Sequence, residues 1–296
     1  MKTSRRELLS VVPAIAAAAG LPESSRADQE ILPPSRFTLG INLELMFDPS
    51  ISYEDRLRAV IQTGAKHYAF WQWQGKNLGA LLEIQHSAGL GCISITGNPK
   101  TGWTTGLTKP GMEQAFLDDI TECCEVANRF GCDNLITFVG ATQPDYPKAK
   151  QDAQIIAGLK KAGEIAEQHN VYITLEPLNR VESPQMTMLT AADAFRYCEG
   201  TDHPHVRVDY DMYHRQLGEG NLIENLREGM TKKFIRFIEI GDVPGRYEPG
   251  TGEANYINLF RELRRIGYSG YIGMEHRTTR NVQYAWNAVR KAAGLA

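Results

Sequence analysis

The chain has 296 residues, with 32 Lys plus Arg against 35 Asp plus Glu and a formal net charge of -3. With 42% hydrophobic residues, 27 Gly and 14 Pro, the composition is that of a folded globular protein and excludes disordered and collagenous classes. The slight acidity argues against nucleic acid as the main partner, because binding a phosphate backbone needs an excess of Lys and Arg.

The first element in chain order reads as an address. Lys2, Arg5 and Arg6 form a charged start, and Leu8 to Leu21 is apolar or small apart from Ser10 and a proline. Ser25-Arg26-Ala27 then offers small residues at the two positions that matter for cleavage. Residues 1–27 are therefore expected to be a removed signal. The pair Arg5-Arg6 resembles the twin-arginine export signal, which implies a periplasmic or exported protein. Cleavage removes four basic and two acidic residues, taking the net charge from -3 to -5. No apolar run reaches the roughly 20 residues of a bilayer span, so the mature form is expected to have no stable membrane span. All five cysteines, Cys92, Cys123, Cys124, Cys132 and Cys198, lie beyond the signal. They show no CxxC and no zinc spacing, and are expected to be mostly buried free thiols, with a single long-range disulfide as the alternative.

After a linker over residues 28–36, β-rich runs alternate with helical patterns. The predicted strands are Phe37–Phe47, His67–Trp73, Gly91–Gly97, Asn134–Gly140, Val171–Leu178, Val206–His214, Phe234–Gly241 and Tyr271–His276. Amphipathic segments lie between them, at Tyr53–Thr63, Met112–Phe130, Ala149–His169, Ala191–Glu199, Leu222–Thr231 and Tyr256–Ile266. Eight strands in this alternation point to a single α/β domain, a (β/α)8 barrel over residues 37–296, in preference to an open doubly wound sheet. Gly250-Thr251-Gly252 does not make a dinucleotide fingerprint, because Asn occupies position 255 and the run follows the seventh strand.

Barrel chemistry sits where strands end. The fifth strand closes on Glu176, the sixth on Asp211, the seventh on Glu239 and the eighth on Glu275. Side chains alternate along a strand, so with Ile173, Leu175, Ile238, Ile240 and Met274 facing the helices, Glu176, Glu239 and Glu275 face inward. Four inward carboxylates at one level repel one another, and a divalent cation relieves that repulsion. An all-oxygen set favours one Mn2+ or Mg2+ over zinc. His214, three residues after Asp211, Glu182, six after Glu176, and Arg246, in a Gly/Pro loop after Glu239, are candidate substrate contacts. Trp71, Trp73 and Trp103 offer an apolar wall for a sugar face, with core packing as the alternative.

Four segments carry a family resemblance: Leu175-Glu176-Pro177-Leu178-Asn179, Tyr210-Asp211-Met212-Tyr213-His214, the run Gly241-Asp242-Val243-Pro244-Gly245-Arg246 with its continuation to Glu253, and Gly273-Met274-Glu275. Together they resemble the xylose isomerase-like TIM barrels, within them the hydroxypyruvate isomerase and ketose epimerase branch. The resemblance implies that Glu176, Asp211, Glu239 and Glu275 hold the metal and that Glu176 and Glu275 are also the acid/base pair. It also implies that Glu182, His214 and Arg246 contact substrate. Two departures stand out: Glu239 occupies a position that is usually Gln or His, and Ala69 replaces a Glu found in many relatives.

The expected activity is isomerisation or epimerisation of a small hydroxy-carbonyl compound through an enediolate. A keto-sugar lyase, a non-catalytic sugar-binding protein and an endonuclease on the same barrel are the alternatives; the acidic charge and the export signal count against the last. The expected partner is a small molecule, and a homo-oligomer is left open.

Overall fold

The first strand is shorter than its apolar run, because the chain turns out of the barrel wall where Asn42 accepts the backbone N–H of Glu44 and Leu45 at 2.8 and 3.1 Å. The computed structural model describes residues 32–295. The expected signal and the first part of the linker lie outside those residues.

The order is β1 (Thr38–Asn42), α1 (Tyr53–Thr63), β2 (His67–Ala69), α2 (Leu78–Ala88), β3 (Gly91–Thr96), α3 (Glu113–Phe130), β4 (Asn134–Thr137) and α4 (Lys148–Gln168). It continues with β5 (Tyr172–Leu175), α5 (Ala191–Thr201), β6 (Val206–Asp211), α6 (Met212–Gly218), α7 (Leu222–Thr231), β7 (Ile235–Ile240), α8 (Tyr256–Arg265), β8 (Tyr271–Met274) and α9 (Val282–Ala293). The eight described strands close into one barrel in sequence order. Each neighbouring pair is parallel, including β1 with β8. The expected single (β/α)8 barrel is the observed fold.

Two layers hold it. Strand residues pointing outward, among them Ile173, Leu175, Val208, Tyr210, Ile238, Ile240, Ile272 and Met274, join the helix faces in one buried shell. Inside the barrel, Ala69, Ile93, Ile136 and Phe237 form a separate plug with Phe138 and Tyr271 against it. Burying a large apolar side chain contributes about 1.5–3 kcal/mol, so this plug makes a firm floor under the residues above it.

Several elements differ from expectation. Strand five stops at Leu175, just before the Glu176-Pro177 step, because proline has no N–H to continue the ladder. Strand six stops at Asp211, whose carboxylate accepts the Tyr213 N–H at 2.7 Å and caps α6. The segment 212–214 is therefore helical and not strand. Helices α2, α6 and α9 lie outside the predicted helical segments. The cysteines are buried and free, as expected. Among the described residues, no helix is long and apolar enough to cross a membrane.

Candidate active site

The four strand-end acids meet. Strand pairing sets Asp211 beside Glu239, and Glu239 beside Gly273, two residues before Glu275. Gly273 has a specific reason to lack a side chain: a Cβ there would lie 3.0 Å from Glu239 Oε1. One oxygen from each of Glu176, Asp211, Glu239 and Glu275 falls within 4.8 Å of the others, and all four residues are buried.

Their partners are unequal. Arg246 Nη2 donates to Asp211 Oδ2 at 2.8 Å and also to Glu275 Oε2, while its Nε donates to the Glu275 carbonyl at 3.1 Å. Glu239 is fully buried and neither of its carboxylate oxygens has a donor. Asp209, two residues before Asp211 on the same inward face, is equally buried, receives no N–H or hydroxyl donor and faces the Glu239 carboxyl. Burial pushes the Glu239 carboxyl well up, and the charges of Asp209, Glu275, Glu176 and Asp211 push it further. The Glu176 carboxyl is raised for the same reasons, burial first and Glu275 next. Glu275 and Asp211 are also raised by burial, but Arg246 opposes the shift in both.

The proposed substrate contacts surround this cluster. His214 lies in the first turn of α6, with Nε2 at 3.5 Å from Glu176 Oε1 and 3.6 Å from Asp211 Oδ2. Asn179 settles its tautomer. The Asn179 Oδ1 accepts the N–H of Val181 and Glu182, so its Nδ2 must be the donor to His214 Nδ1 at 2.7 Å. The remaining proton therefore sits on Nε2 and faces the carboxylates. Burial, then the Arg246 and Arg215 charges, hold His214 well below the ordinary imidazole range and hence neutral. Glu182 accepts from Tyr213 Oη at 2.6 Å and from Asn179 Nδ2 at 2.9 Å. Burial acts to raise its carboxyl, and these two hydrogen bonds bring it below its usual value.

Arg246 owes its place to Asp242, whose carboxylate accepts the N–H of Val243, Gly250, Gly252 and Ala254 and so folds the β7–α8 loop around itself. Within that loop Arg246 takes a φ of 57°, a left-handed conformation that non-glycine residues adopt at a cost. Arg215, fully buried, donates to the carbonyls of Pro177 and Leu178 at 2.6 Å and fixes the segment carrying Glu176.

A cavity of about 430 Å³ opens onto Glu176, Glu182, His214, Arg246 and Glu275. Trp71, Trp103 and Phe138 form its apolar side, and Trp103 stands edge-on to Phe138 with ring centroids 5.2 Å apart. Trp73 does not join the wall. It packs against the outer core instead, so the expected three-tryptophan surface has two members. Every residue predicted for metal, catalysis or substrate thus lies in or around one pocket. Asp209, Asn42, Asn179, Asp242 and Arg215 were not anticipated. Asp209 carried a readable signal, since it shares the strand parity of Asp211.

The closed all-parallel barrel thus gathers acids from four consecutive strand ends beside a buried histidine, the arrangement of a (β/α)8 enzyme with its site at the strand ends. The chain belongs to the xylose isomerase-like TIM barrel family, whose profile matches residues 58–293. It is 29% identical over 240 residues to the 2-oxo-tetronate isomerase of Haemophilus influenzae, covering 80% of this chain and 92% of that protein. It is 27% identical over 179 residues to the hydroxypyruvate isomerase of Escherichia coli, covering 60% and 69%. Its fold is similar to the apo crystal structure of 3-keto-D-glucoside 4-epimerase from E. coli, with a TM-score of 0.72, 20% identity and coverage of 87% and 99%. The chain is an enzyme of the isomerase class.

Proposed function

We propose that the protein is a divalent-metal-dependent isomerase or epimerase of a small, uncharged hydroxy-carbonyl compound. The observation that carries this reading is Glu239: a buried carboxylate with no donor, within 4.8 Å of three others. One arginine does not neutralise such a set, and hard oxygen ligands suit Mn2+ or Mg2+. Glu176, Asp211, Glu239 and Glu275 would hold the ion. His214 would not, because its Nε2 carries the proton. When bound, the ion polarises a carbonyl and a neighbouring hydroxyl.

The side chains supply the rest. Glu176 and Glu275 are the two acids that both belong to the cluster and line the cavity, which suits them to take a carbon-bound proton and return it. Return to the adjacent carbon isomerises, and return to the opposite face epimerises. The His214 Nε2–H and the Arg246 guanidinium are donors for substrate oxygens, and Trp71 and Trp103 face the apolar side of a sugar. Among the described residues Arg246 is the one Lys or Arg lining the cavity and is already paired with two carboxylates, whereas Glu182 adds a carboxylate to the wall that lies outside the four-acid cluster. That balance favours a neutral sugar or keto sugar over a substrate with its own carboxylate.

The twin-arginine-like segment supports export in the folded, metal-loaded state. The test is a screen of ketoses, 3-keto sugars and hydroxypyruvate with Mn2+ in D2O, read by NMR for incorporation of deuterium at carbon. Glu176→Gln is expected to lower turnover by about 10²–10⁴-fold; a variant with full turnover removes Glu176 from the acid/base role. Preferred turnover of hydroxypyruvate, the anionic compound of the screen, overturns the substrate class. Products of β-elimination would identify the lyase alternative.

A further inference from the structure

Trp71 does more than line the cavity. Its indole Nε1–H donates to Glu275 Oε1, while the opposite oxygen, Oε2, takes the Arg246 Nη2–H. A second donor, Asn42 Nδ2, approaches Oε1 at 3.5 Å. Donors on both oxygens fix the plane of a carboxylate as well as its position.

Trp71 is itself anchored from behind. Its backbone N–H donates to Glu44 Oε1 at 3.1 Å, and Lys76 Nζ lies 3.0 Å from the same oxygen. Tyr53 Oη donates to Glu44 Oε2, and the Lys76 ammonium also sits 4.2 Å from the centre of the Tyr53 ring. The Lys76 and Glu44 side chains are only 4% and 11% exposed. A buried ion pair is costly to desolvate and a poor source of net stability, so its presence at the edge of a reaction cavity asks for another role. Glu44 also links to Asn42, whose Oδ1 accepts the Glu44 N–H at 2.8 Å. Both donors to Glu275 Oε1 thus trace back to one residue.

We propose that Trp71 is a positioning residue for Glu275 and that the Glu44–Lys76–Tyr53 cluster holds Trp71 in register. The proposal rests on the reading of Glu275 as a metal ligand given above. Trp71→Phe keeps an aromatic ring in the wall but removes the N–H together with part of the indole, and Trp71→His restores a ring N–H on a ring smaller still, so the two together separate positioning from packing. Partners that orient a metal ligand are worth about 10–100-fold in affinity.

The experiment measures Mn2+ affinity of the full chain by electron paramagnetic resonance, together with thermal midpoints. Trp71→Phe is expected to weaken Mn2+ binding about tenfold or more without lowering the midpoint measured in EDTA. Trp71→His, which retains a ring N–H, recovers part of the loss. Glu44→Gln and Tyr53→Phe shift affinity in the same direction. Trp73→Phe, which packs on the outer core, leaves it unchanged. Wild-type affinity in Trp71→Phe, alongside lost binding in Glu275→Gln, overturns the positioning role alone. Wild-type affinity in Glu275→Gln overturns the metal reading beneath it.

Discussion

Glu239→Gln separates the electrostatic account of the site from one in which the acids are merely structural. Two unit charges 4.8 Å apart repel by about 3.5 kcal/mol at an effective dielectric constant of about 20. Glu239 has three such neighbours, so full ionisation would cost about 10 kcal/mol, comparable with the whole stability of about 5–15 kcal/mol of a folded protein. The metal-free cluster must therefore carry protons. That relief caps what the amide can recover, to about 1–3 kcal/mol for a buried group without partners. With roughly 2–4 °C per kcal/mol for a large domain, a gain of about 2 kcal/mol raises the midpoint by about 4–8 °C.

The direction reverses with metal. A neutral amide binds Mn2+ less tightly than a carboxylate, and each tenfold loss of affinity removes about 1.4 kcal/mol of ligand stabilisation. Calorimetric melts in EDTA and in excess Mn2+ read both effects. The variant is expected to melt higher than wild type in EDTA and to gain less from Mn2+. Lower stability in EDTA, or an unchanged Mn2+ shift, refutes the reasoning. A pH series adds a sign check. Glu176, Glu239 and Asp209 all have carboxyls raised above ordinary values of 4.5, 4.5 and 3.8, burial being the largest cause in each. The metal-free fold then holds more protons than the unfolded chain. That contribution is fully present below the ordinary values and is lost as pH rises through the raised ones. Metal-free stability should therefore fall with rising pH, and fall less steeply in Glu239→Gln.

Three further outcomes follow from the packing and the hydrogen bonds. Asn179→Leu removes the donor to His214 and the acceptor for two amides, and is expected to lower stability by about 1–3 kcal/mol, measured by urea unfolding. Phe237→Ala opens the floor beneath the acids and is expected to cost about 3–5 kcal/mol, read in the same assay. Burial pushes the Cys124 and Cys198 thiols up to about 12, so the native protein should resist a thiol reagent at pH 8 and yield five reactive thiols only when denatured.

The barrel was legible because its two periodicities are clean: short β-branched runs separated by amphipathic helices, repeated to the eighth strand. Strand ends were less so. The alternation that marks β6 runs on past Asp211 into Met212, Tyr213 and His214, and only the capping bond from Tyr213 N–H to Asp211 turns the chain helical there. Helix α2, Leu78-Gly79-Ala80-Leu81-Leu82, is apolar around most of its circumference at its start, so it lacks the stripe that pattern reading relies on. Its boundaries rest on the Asn77 cap and the left-handed Gly89.

At the site, what lies on strands could be read and what lies between them could not. Strand parity alone aims Glu176, Asp211, Glu239 and Glu275 at one point, and the same rule reaches Asp209. Asn42 and Trp71 are different. They meet Glu275 only because closure pairs β1 with β8, setting Ile41 beside Met274, across a sequence separation of 233 residues between Asn42 and Glu275. The side chains that supply charge to this cavity come from residues 176–275, the half of the chain with the recognisable motifs. Those that reach Glu275 Oε1, and the residues that anchor them, come from residues 42–76, where Ala69 suggests a missing contact. The first strands thus contribute by holding a carboxylate in place, a role that the residue types alone do not announce.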